Sequence, residues 1–340
     1  MSPPTDIWNV RAEDFPASGS EDDKLRFLLN YAVMAPSHHN SQPWMFRLRE
    51  GELEVYADRT RASHVTDPHC RELFISCGAA IEHLAVAIRH CGHAGDLKIL
   101  PDPLSPDLLA VAQLGEVHAT SLEDTILFNA IPKRRTNRGP FRRDPLPPQL
   151  ISALEVEAHA TGAELHFVRF EEERFELADL IAAADEIQWR NKSFRLELAA
   201  WMHPNRDQSR DGMPGYAIGL GDLLSHAGPL VARTFDLGNG RAARDRDLAI
   251  HSPALAVLFT DGDTEKDWID AGRALARVLL RARSEDVWAS FLNQPVELGE
   301  LRVKVAQNAR KEGQAQLILR MGFGEPVKPT PRRLIEQVAI

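Results

Sequence analysis

The amino-terminal part of the chain alternates between helical and strand-like spacing of its apolar residues. Ser20, with Asp23 three residues later, forms a capping box that predicts the start of a helix, and Pro36 marks its end. Residues 44–48 and 53–57 alternate apolar and polar side chains on either side of a turn, which predicts a two-stranded hairpin. This order of elements is typical of a chain that mixes helices with antiparallel strands.

Residues 73–90 are apolar on nearly every helix face, which predicts a helix buried on most sides. Apolar runs at 97–100 and 108–115 predict further strands. The second half repeats this order, with a predicted helix, two strands and a second buried helix at 149–159, 165–170, 254–259 and 269–283. The fold class predicted from this pattern is α+β.

The two predicted buried helices align without a gap. Ile269 falls on Ile75 and Gly272 on Gly78, at a constant offset of 194 positions. Two Gly- and Ala-rich helices at one offset predict an internal duplication. The alternative is that any two apolar helices share such letters.

A long segment at about 195–250 interrupts the second half. It is rich in Gly and charged residues and has little periodicity of its own. A segment of this length is usually a functional lid or a mobile loop. We expect it to pack on a functional site through its apolar side chains, which are Trp201, Met202, Met213, Pro214 and Tyr216.

The composition narrows the function classes. Hydrophobic residues make up 44% and charged residues 26% of the 340 residues, as in ordinary soluble proteins. Lys and Arg number 40 against 49 Asp and Glu, and the net charge of −9 argues against a general nucleic-acid or anionic-membrane binder. The amino terminus lacks a secretory pattern, and no apolar run reaches the ~20 residues that span a bilayer.

The cysteines and histidines indicate neither disulfides nor a metal site. Three cysteines without a CxxC spacing suit a reducing compartment, so we expect a cytoplasmic protein. One group of possible ligands lacks zinc-finger spacing and flanks a predicted buried helix; it comprises His83, His90, Cys91 and His93. No metal is therefore predicted.

The densest charge feature spans 133–143, where six of eleven residues are basic and none is acidic. Guanidinium groups beside a hydroxyl and an amide suit one bound phosphate. A solvated basic loop and a nucleic-acid patch are the alternatives. A second basic cluster, at 328–333, lies where it can close on the same anion.

The loop 36–44 places Ser, His, Asn and Gln side chains between two prolines and beside Trp44. Hydrogen-bonding groups next to an aromatic wall suit a planar heterocycle. A well-capped turn between helix and hairpin is the alternative.

Three segments together resemble motifs of the FMN-dependent nitroreductase superfamily: APSHHNSQPW, RRTNRGPF and MGFGEPVKPTPRRLIEQV. The resemblance covers nearly the whole chain, but the motif that opens ordinary members lies in its middle. The chain therefore resembles two subunits fused into one, as in the Acg-like subgroup of actinobacteria. This implies a nitroreductase-like, internally duplicated pseudo-dimer with halves 1–130 and 131–340, able to exist as a monomer.

The resemblance also implies one FMN per chain, because only one full set of motifs is present. Arg134, Arg135 and Thr136 are expected at the phosphate and ribityl chain, and Arg138 near flavin N1 and O2. The other expected cofactor-binding residues are Pro36, Ser37, His38, Asn40 and Gln42 along the ring, Ser290, Leu292 and Asn293 near N5, and Arg332 and Arg333 at the phosphate. No catalytic side chain is implied, because flavin N5 carries the chemistry.

The function that this resemblance implies is reduction of nitro compounds, quinones or a related small acceptor with NAD(P)H. One alternative is a flavin-sequestering protein in which the segment 195–250 covers FMN. Another is a specialised flavin oxidase.

Overall fold

Two four-stranded antiparallel sheets form the framework of the computed structural model, which describes residues 7–340. The first has the order β1-β2-β4-β3 and contains β1 (Trp44–Arg49), β2 (Glu52–Ala57), β3 (Asp96–Ile99) and β4 (Leu108–Gln113). The second has the order β5-β8-β10-β9 and contains β5 (Glu164–Phe167), β8 (Ala254–Thr260), β9 (Trp288–Phe291) and β10 (Gln314–Gly322). Two short strands, β6 (Met202–His203) and β7 (Met213–Pro214), pair in parallel.

Helices cover both sheets. They are α1 (Glu21–Ala32), α2 (Arg71–His90), α3 (Leu122–Ala130), α4 (Pro148–His159), α5 (Glu171–Arg190), α6 (Lys192–Ala200), α7 (Asp222–Thr234), α8 (Gly238–His251), α9 (Glu265–Ser284), α10 (Gly299–Asn308) and α11 (Ile335–Val338). The capping box of Ser20 and Asp23 at the start of α1 is confirmed. The α+β class and the predicted hairpin are confirmed as well.

The two sheets share one topology. In chain order, each has two strands before its long helix, α2 or α9, and two after it, and each arranges these strands as first, second, fourth, third. The long helices contact each other in the core. A Cβ atom on Gly78 would lie 2.2 Å from the carbonyl oxygen of Ile269, and one on Gly272 would lie 2.0 Å from that of Ile75.

These two contacts are images of each other under the 194-residue offset seen in the sequence. The backbones of α2 and α9 thus approach as closely as glycine allows, about a local two-fold axis. Charge reinforces the crossing, because the buried carboxylate of Glu82 on α2 binds Arg273 and Arg277 on α9.

Each sheet is extended by a bridge to a segment from a distant part of the chain. Thr136, which follows the first sheet in the chain, forms a parallel bridge with Ala289 on β9. Ala339, near the carboxyl terminus, forms one with Phe46 on β1. The first segment contains the basic cluster 133–143 and the second follows the basic cluster 328–333, so each cluster lies beside one of these bridges.

The segment 195–250 differs from the expectation of a mobile loop, because most of it is helical. It contains most of α6, all of α7 and most of α8. In α8 only three residues are buried, Gly238, Ala242 and Ala249. Small buried residues separated by Gly, Arg and Asp leave α8 with little hydrophobic periodicity, which explains why the sequence concealed this helix.

One helix in the described part of the chain, α2, is long and apolar enough to cross a membrane by length and composition alone. Its most apolar window is 89% buried inside the protein. Packing in the core against α9 accounts for its composition.

Candidate functional site

Two connected cavities lie at the boundary between the halves. The larger has a volume of about 420 Å³ and the smaller about 350 Å³. They share walls formed by Pro36, Ser37, Thr136, Arg138 and Met213. We call the larger one the ring-side cavity and the smaller one the basic cavity, after the residues described below.

The loop 36–42 forms the common wall from the side of the first half. His39, Asn40 and Gln42 all have positive φ angles, of 48°, 57° and 52°. Such angles cost free energy in residues other than glycine and are concentrated at functional sites. The hydroxyl of Ser37 accepts a hydrogen bond from the backbone N–H of Gln42 at 2.9 Å, which holds the loop in this conformation.

Two buried guanidinium groups line the basic cavity. Arg134 is 3% exposed and Arg332 is 4% exposed. Arg134 donates to the carbonyl oxygen of Met34, and Arg332 donates to Asn40 Oδ1 at 2.7 Å. Within residues 7–340 no carboxylate pairs with either group, and the Nε atom of each has no hydrogen-bond partner.

Burial without a carboxylate partner among the described residues lowers the pKa of both guanidinium groups. Burial, with a contribution from Arg135, lowers the pKa of Arg134 to about 9. Burial and the neighbouring Arg134 lower the pKa of Arg332 well below its ordinary value. Two adjacent buried cations that share no counter-ion form a site for an anion of two charges.

The remaining basic residues surround this pair. The guanidinium of Arg135 lies 3.7 Å from the ring centre of Trp8. Arg138 reaches both cavities and donates to the carbonyl oxygen of Ala217 at 3.2 Å. Burial lowers its pKa to about 10, with a contribution from Arg241. Lys328 of the second basic cluster lines the basic cavity, as the sequence suggested.

Two of the expected site residues do not line either cavity. Gln42 is fully buried and donates to the carbonyl oxygens of Asn40 and Arg210. The backbone N–H of Arg333 donates to Gln42 Oε1, and its guanidinium donates to the carbonyl oxygen of Gln42. These residues fasten the carboxyl-terminal segment to the loop 36–42, and their contact with a ligand stays a prediction.

The other expected residues come together. Pro36, Ser37 and Thr136 lie in both cavities, and Asn40 lies in the basic one. His38 and the β9 segment line the ring-side cavity, the latter through Ser290, Leu292 and Asn293. Elements from both halves therefore build one continuous site.

Sequence reasoning missed several charged residues that line the ring-side cavity. Arg320 on β10 is 1% exposed, and its Nε and Nη1 atoms have no hydrogen-bond partner. Gln294 donates to Asp185 on α5 at 3.2 Å and to Asp245 on α8 at 2.9 Å. Burial and the charge of Asp245 raise the pKa of Asp185 to about 7.

A second buried cluster joins His38 to two glutamates. His38 Nδ1 is hydrogen-bonded to Glu72 on α2, and Glu297 lies close to both. Burial acts against the charge of His38, but Glu72 outweighs it and raises the pKa to about 9. Glu72 and Glu82 are acidic residues on a helix whose buried residues are mostly apolar, and this pattern is the signal that could have found them.

The segment 195–250 supplies one wall of the ring-side cavity. Met202, Met213, Ile218, Leu224 and Val231 line it. Tyr216 lines the basic cavity instead. Trp201 and Pro214 reach neither cavity, so the expectation that they line the site is corrected.

The residues present fit an FMN molecule. A dianionic phosphate would neutralise the positive charges of Arg134 and Arg332, which have no carboxylate partner among the described residues. The adjoining cavity has a mainly apolar lining, which suits a planar ring. The two cavities meet at Thr136 and Arg138, the motif from which the phosphate and ring positions were expected.

Comparison with known proteins gives the following similarities. No family model matches the chain. It is 30% identical over 323 residues to "Putative NAD(P)H nitroreductase Rv3131" of Mycobacterium tuberculosis H37Rv, covering 93% of this chain and 91% of that protein. It is 26% identical over 325 residues to "Putative NAD(P)H nitroreductase acg" of the same organism, covering 93% and 95%.

Solved structures are similar at a lower level. The FMN- and NADPH-dependent nitroreductase NfnB of Sphigopyxis sp. strain HMH has a TM-score of 0.42 and 16% identity, covering 62% of this chain and 96% of that one. The FMN-dependent nitroreductase NfnB of Mycobacterium smegmatis, in complex with NADPH, has a TM-score of 0.35 and 17% identity, covering 59% and 88%.

Proposed function

The chain belongs to the nitroreductase family, and we propose that it is an FMN-dependent oxidoreductase that uses NAD(P)H to reduce nitro compounds, quinones or a related small acceptor. The observation that carries the proposal is the pair of buried arginines, Arg134 and Arg332, that lack a carboxylate partner among the described residues and face a cavity continuous with the ring-side one. A flavin mononucleotide satisfies both features at once.

In this proposal, the chain's own residues divide the work of binding. Arg134, Arg332, Arg135 and Lys328 hold the phosphate, while Thr136 and Asn40 bind the polar chain beside it. Arg138, held by the carbonyl oxygen of Ala217, keeps a cation at the junction of the cavities, where it favours a ring that gains negative charge. When bound, FMN supplies hydride transfer.

The ring-side walls exclude water. Loop 36–39 and the segment 290–293 bound the ring space from opposite halves, and α6 to α8 wall it from outside. We include in the proposal that residues 195–250 act as a lid, and that the halves 1–130 and 131–340 arose by duplication. The shared strand order and the reciprocal glycine contacts support the duplication.

A direct experiment tests the enzymatic function. The purified protein, loaded with FMN, is mixed anaerobically with NADH or NADPH, and flavin bleaching near 450 nm is followed. Menadione or nitrofurazone is then added in steady state. Turnover with an acceptor supports the proposal, and a protein that fails to bind FMN contradicts it.

A second candidate function is flavin sequestration, favoured by the apolar wall that α7 builds against the ring-side cavity through Leu224 and Val231. It predicts bound FMN with little bleaching by NAD(P)H, while dithionite, a small reductant, still bleaches the flavin. The same anaerobic experiment therefore separates the two functions.

A further inference from the structure

His38, Glu72 and Glu297 form a cluster in which Glu72 is buried and the other two residues are half-buried. His38 lies on the loop 36–42, Glu72 in the first turn of α2, and Glu297 in the short helical segment Gln294–Glu297. All three line the ring-side cavity, and each offers a nitrogen or oxygen atom within 4.8 Å of the others. One half of the protein supplies two members and the other half supplies the third.

The hydrogen bonds leave one imidazole nitrogen of His38 available. Nδ1 is bonded to Glu72, whereas Nε2 is buried and has no partner among the residues described. The backbone N–H of His38 donates to the hydroxyl of Ser76 on α2 at 3.1 Å, which fixes the residue. Nε2 is therefore the one nitrogen of this cavity-lining imidazole that is left without a hydrogen bond to the described residues, while a carboxylate holds the other nitrogen.

Glu72 is itself held in place on two sides. Its Oε1 accepts from Arg71 at 3.3 Å and from Asn293 Nδ2 at 3.2 Å. Glu297 accepts from Gln188 Nε2 at 2.5 Å. A carboxylate that orients a histidine, and is oriented in turn, is the arrangement that fixes the tautomer and the direction of the free nitrogen.

We propose that His38 is a catalytic proton donor, positioned by Glu72 and resupplied by Glu297, for the oxygen atom of the acceptor reduced in the ring-side cavity. The inference rests on the proposed function, since it needs an acceptor that receives a hydride from reduced flavin. With a quinone, the hydride equivalent leaves one oxygen negatively charged. The Nε2–H bond then breaks, its electron pair stays on the imidazole, and a new O–H bond forms.

The charges around His38 suit this role. Glu72 and Glu297 face it from α2 and from the segment 294–297, and Asp67 faces it from the loop before α2; these acids raise its pKa to about 9 against the effect of burial. His39, on the same loop, is kept neutral because burial lowers its pKa well below the ordinary value. Burial and the charge of Glu72 raise the pKa of Glu297 to about 7.

Near neutral pH the cluster therefore holds one proton on His38, and Glu297 is close to its own pKa of about 7. A newly formed oxyanion is a stronger base than this imidazole, so transfer runs toward the acceptor. Neutral His38 then regains a proton from Glu297, which lies in the same cluster, and Glu297 exchanges with solvent between turnovers.

The test isolates the acceptor half-reaction. FMN-loaded protein is reduced photochemically, without NAD(P)H, and mixed in a stopped-flow instrument with menadione between pH 6 and pH 10. We expect a rate that falls above about pH 9 and about a twofold decrease in D₂O. His38→Gln should lower the rate at pH 7 about 100-fold, in the range for a lost general acid, and abolish the fall above pH 9.

A matched control exists elsewhere in the chain. His166 Nε2 is bonded to Glu173 at 2.6 Å, a histidine–glutamate pair outside both cavities, and His166→Gln should leave the rate and its pH profile unchanged. The inference is wrong if menadione reoxidises the flavin of the His38→Gln variant within threefold of the wild-type rate and with the same pH dependence.

A second measurement needs no bound flavin. In FMN-free wild-type protein, the imidazole resonance that His38→Gln removes should titrate near pH 9, and Glu72→Gln should move its titration down by at least one pH unit. A titration at or below pH 6.5 overturns the inference. The inference is also overturned if stoichiometric Zn²⁺ shifts this resonance, because the cluster would then be a metal site. Absence of FMN binding contradicts the proposed function alone, because this titration still decides the state of His38.

Discussion

Removing the charge of an arginine in the basic cavity should weaken FMN binding and stabilise the FMN-free protein. Arg134 is almost fully buried, has one side-chain hydrogen bond to the carbonyl oxygen of Met34, and lies beside a second buried cation, Arg332. We consider Arg134→Met, which keeps most of the side-chain volume and removes the charge. The matched control is Arg142→Met, because Arg142 is 65% exposed and pairs with Asp144 outside the cavities.

The magnitude follows from the perturbed pKa. Burial lowers the pKa of Arg134 from 12.5 to about 9, and a tenfold change in proton affinity is worth about 1.4 kcal/mol. The upper limit on the cost of this charge is therefore about 5 kcal/mol. The lost hydrogen bond offsets about 1 kcal/mol, and relaxation of the surroundings offsets more, so we expect FMN-free Arg134→Met to be about 1–3 kcal/mol more stable than wild type.

The pH dependence has a definite sign. A cation whose pKa is lower in the folded state destabilises that state at every pH below the folded pKa. The advantage of Arg134→Met should thus be full at pH 7 and shrink as the pH rises above about 9, where Arg134 loses its proton. Urea denaturation of FMN-free protein at pH 7 and pH 10 measures both values.

FMN affinity should change the other way. Loss of a charge-assisted phosphate contact in a buried site should weaken FMN binding by about 2–4 kcal/mol, or roughly 30- to 1,000-fold, measured by quenching of flavin fluorescence. Arg142→Met should alter neither quantity. If Arg134→Met destabilises the FMN-free protein and leaves FMN affinity unchanged, the two arginines are structural and the phosphate assignment is refuted.

Four further outcomes are expected. Gly272→Ala should destabilise the protein by about 2–3 kcal/mol in urea, because the new methyl group meets the backbone of Ile75, whereas Gly240→Ala, in open space on α8, should not destabilise it. Glu82→Gln should cost about 1–3 kcal/mol at pH 7, because it removes a buried carboxylate from half-buried arginines that each keep another acidic partner; those arginines hold the Glu82 pKa below 4.5, so the loss should diminish as the pH falls below that value. Titration should give one FMN per chain, with the mass of a monomer in light scattering, and two FMN per chain would contradict the single set of motifs. Leu224→Ala combined with Val231→Ala should increase the rate of flavin reduction by NAD(P)H several-fold if α7 restricts access, while Leu223→Ala, at a side chain 90% exposed, should not.

The sequence was informative wherever the site depends on contiguous residues. The loop 36–44 and the cluster 133–143 could be recognised because their hydrogen-bonding groups are close in the chain, and parts of both, residues 36–40 and 134–140, line the cavities. Gln42 and Arg333 show the limit of this reasoning. Each belongs to a motif, yet the hydrogen bond between them fastens the carboxyl-terminal segment to the loop 36–42. The two residues are far apart in the chain, so only the fold shows that they are partners.

The charged groups of the ring-side cavity could not be predicted from the sequence, for a different reason. Glu72, Asp185, Asp245 and Glu297 come from four elements separated by long stretches of chain, and only tertiary packing brings them together. An acidic residue at helical spacing usually lies on a solvated face, so the sequence favours that interpretation for Asp185 and Asp245. Glu72 is the exception, because it stands on a helix that is apolar on nearly every side.

The sequence similarity between the halves is visible in the long helices but not in the strands. The reason is that the helix crossing restricts residue type much more strongly than a strand does. At the α2–α9 crossing, a Cβ atom on either glycine would come within about 2 Å of a backbone oxygen, so that position accepts almost no other residue. A strand needs only apolar residues on its buried faces, and many sequences meet that requirement. Two halves can therefore keep one strand order while sharing few strand residues, and the offset of 194 survives where the backbones touch. The same reasoning applies to the site: both basic clusters lie within residues 131–340, so the strand order repeats while the anion-binding residues occur as one set.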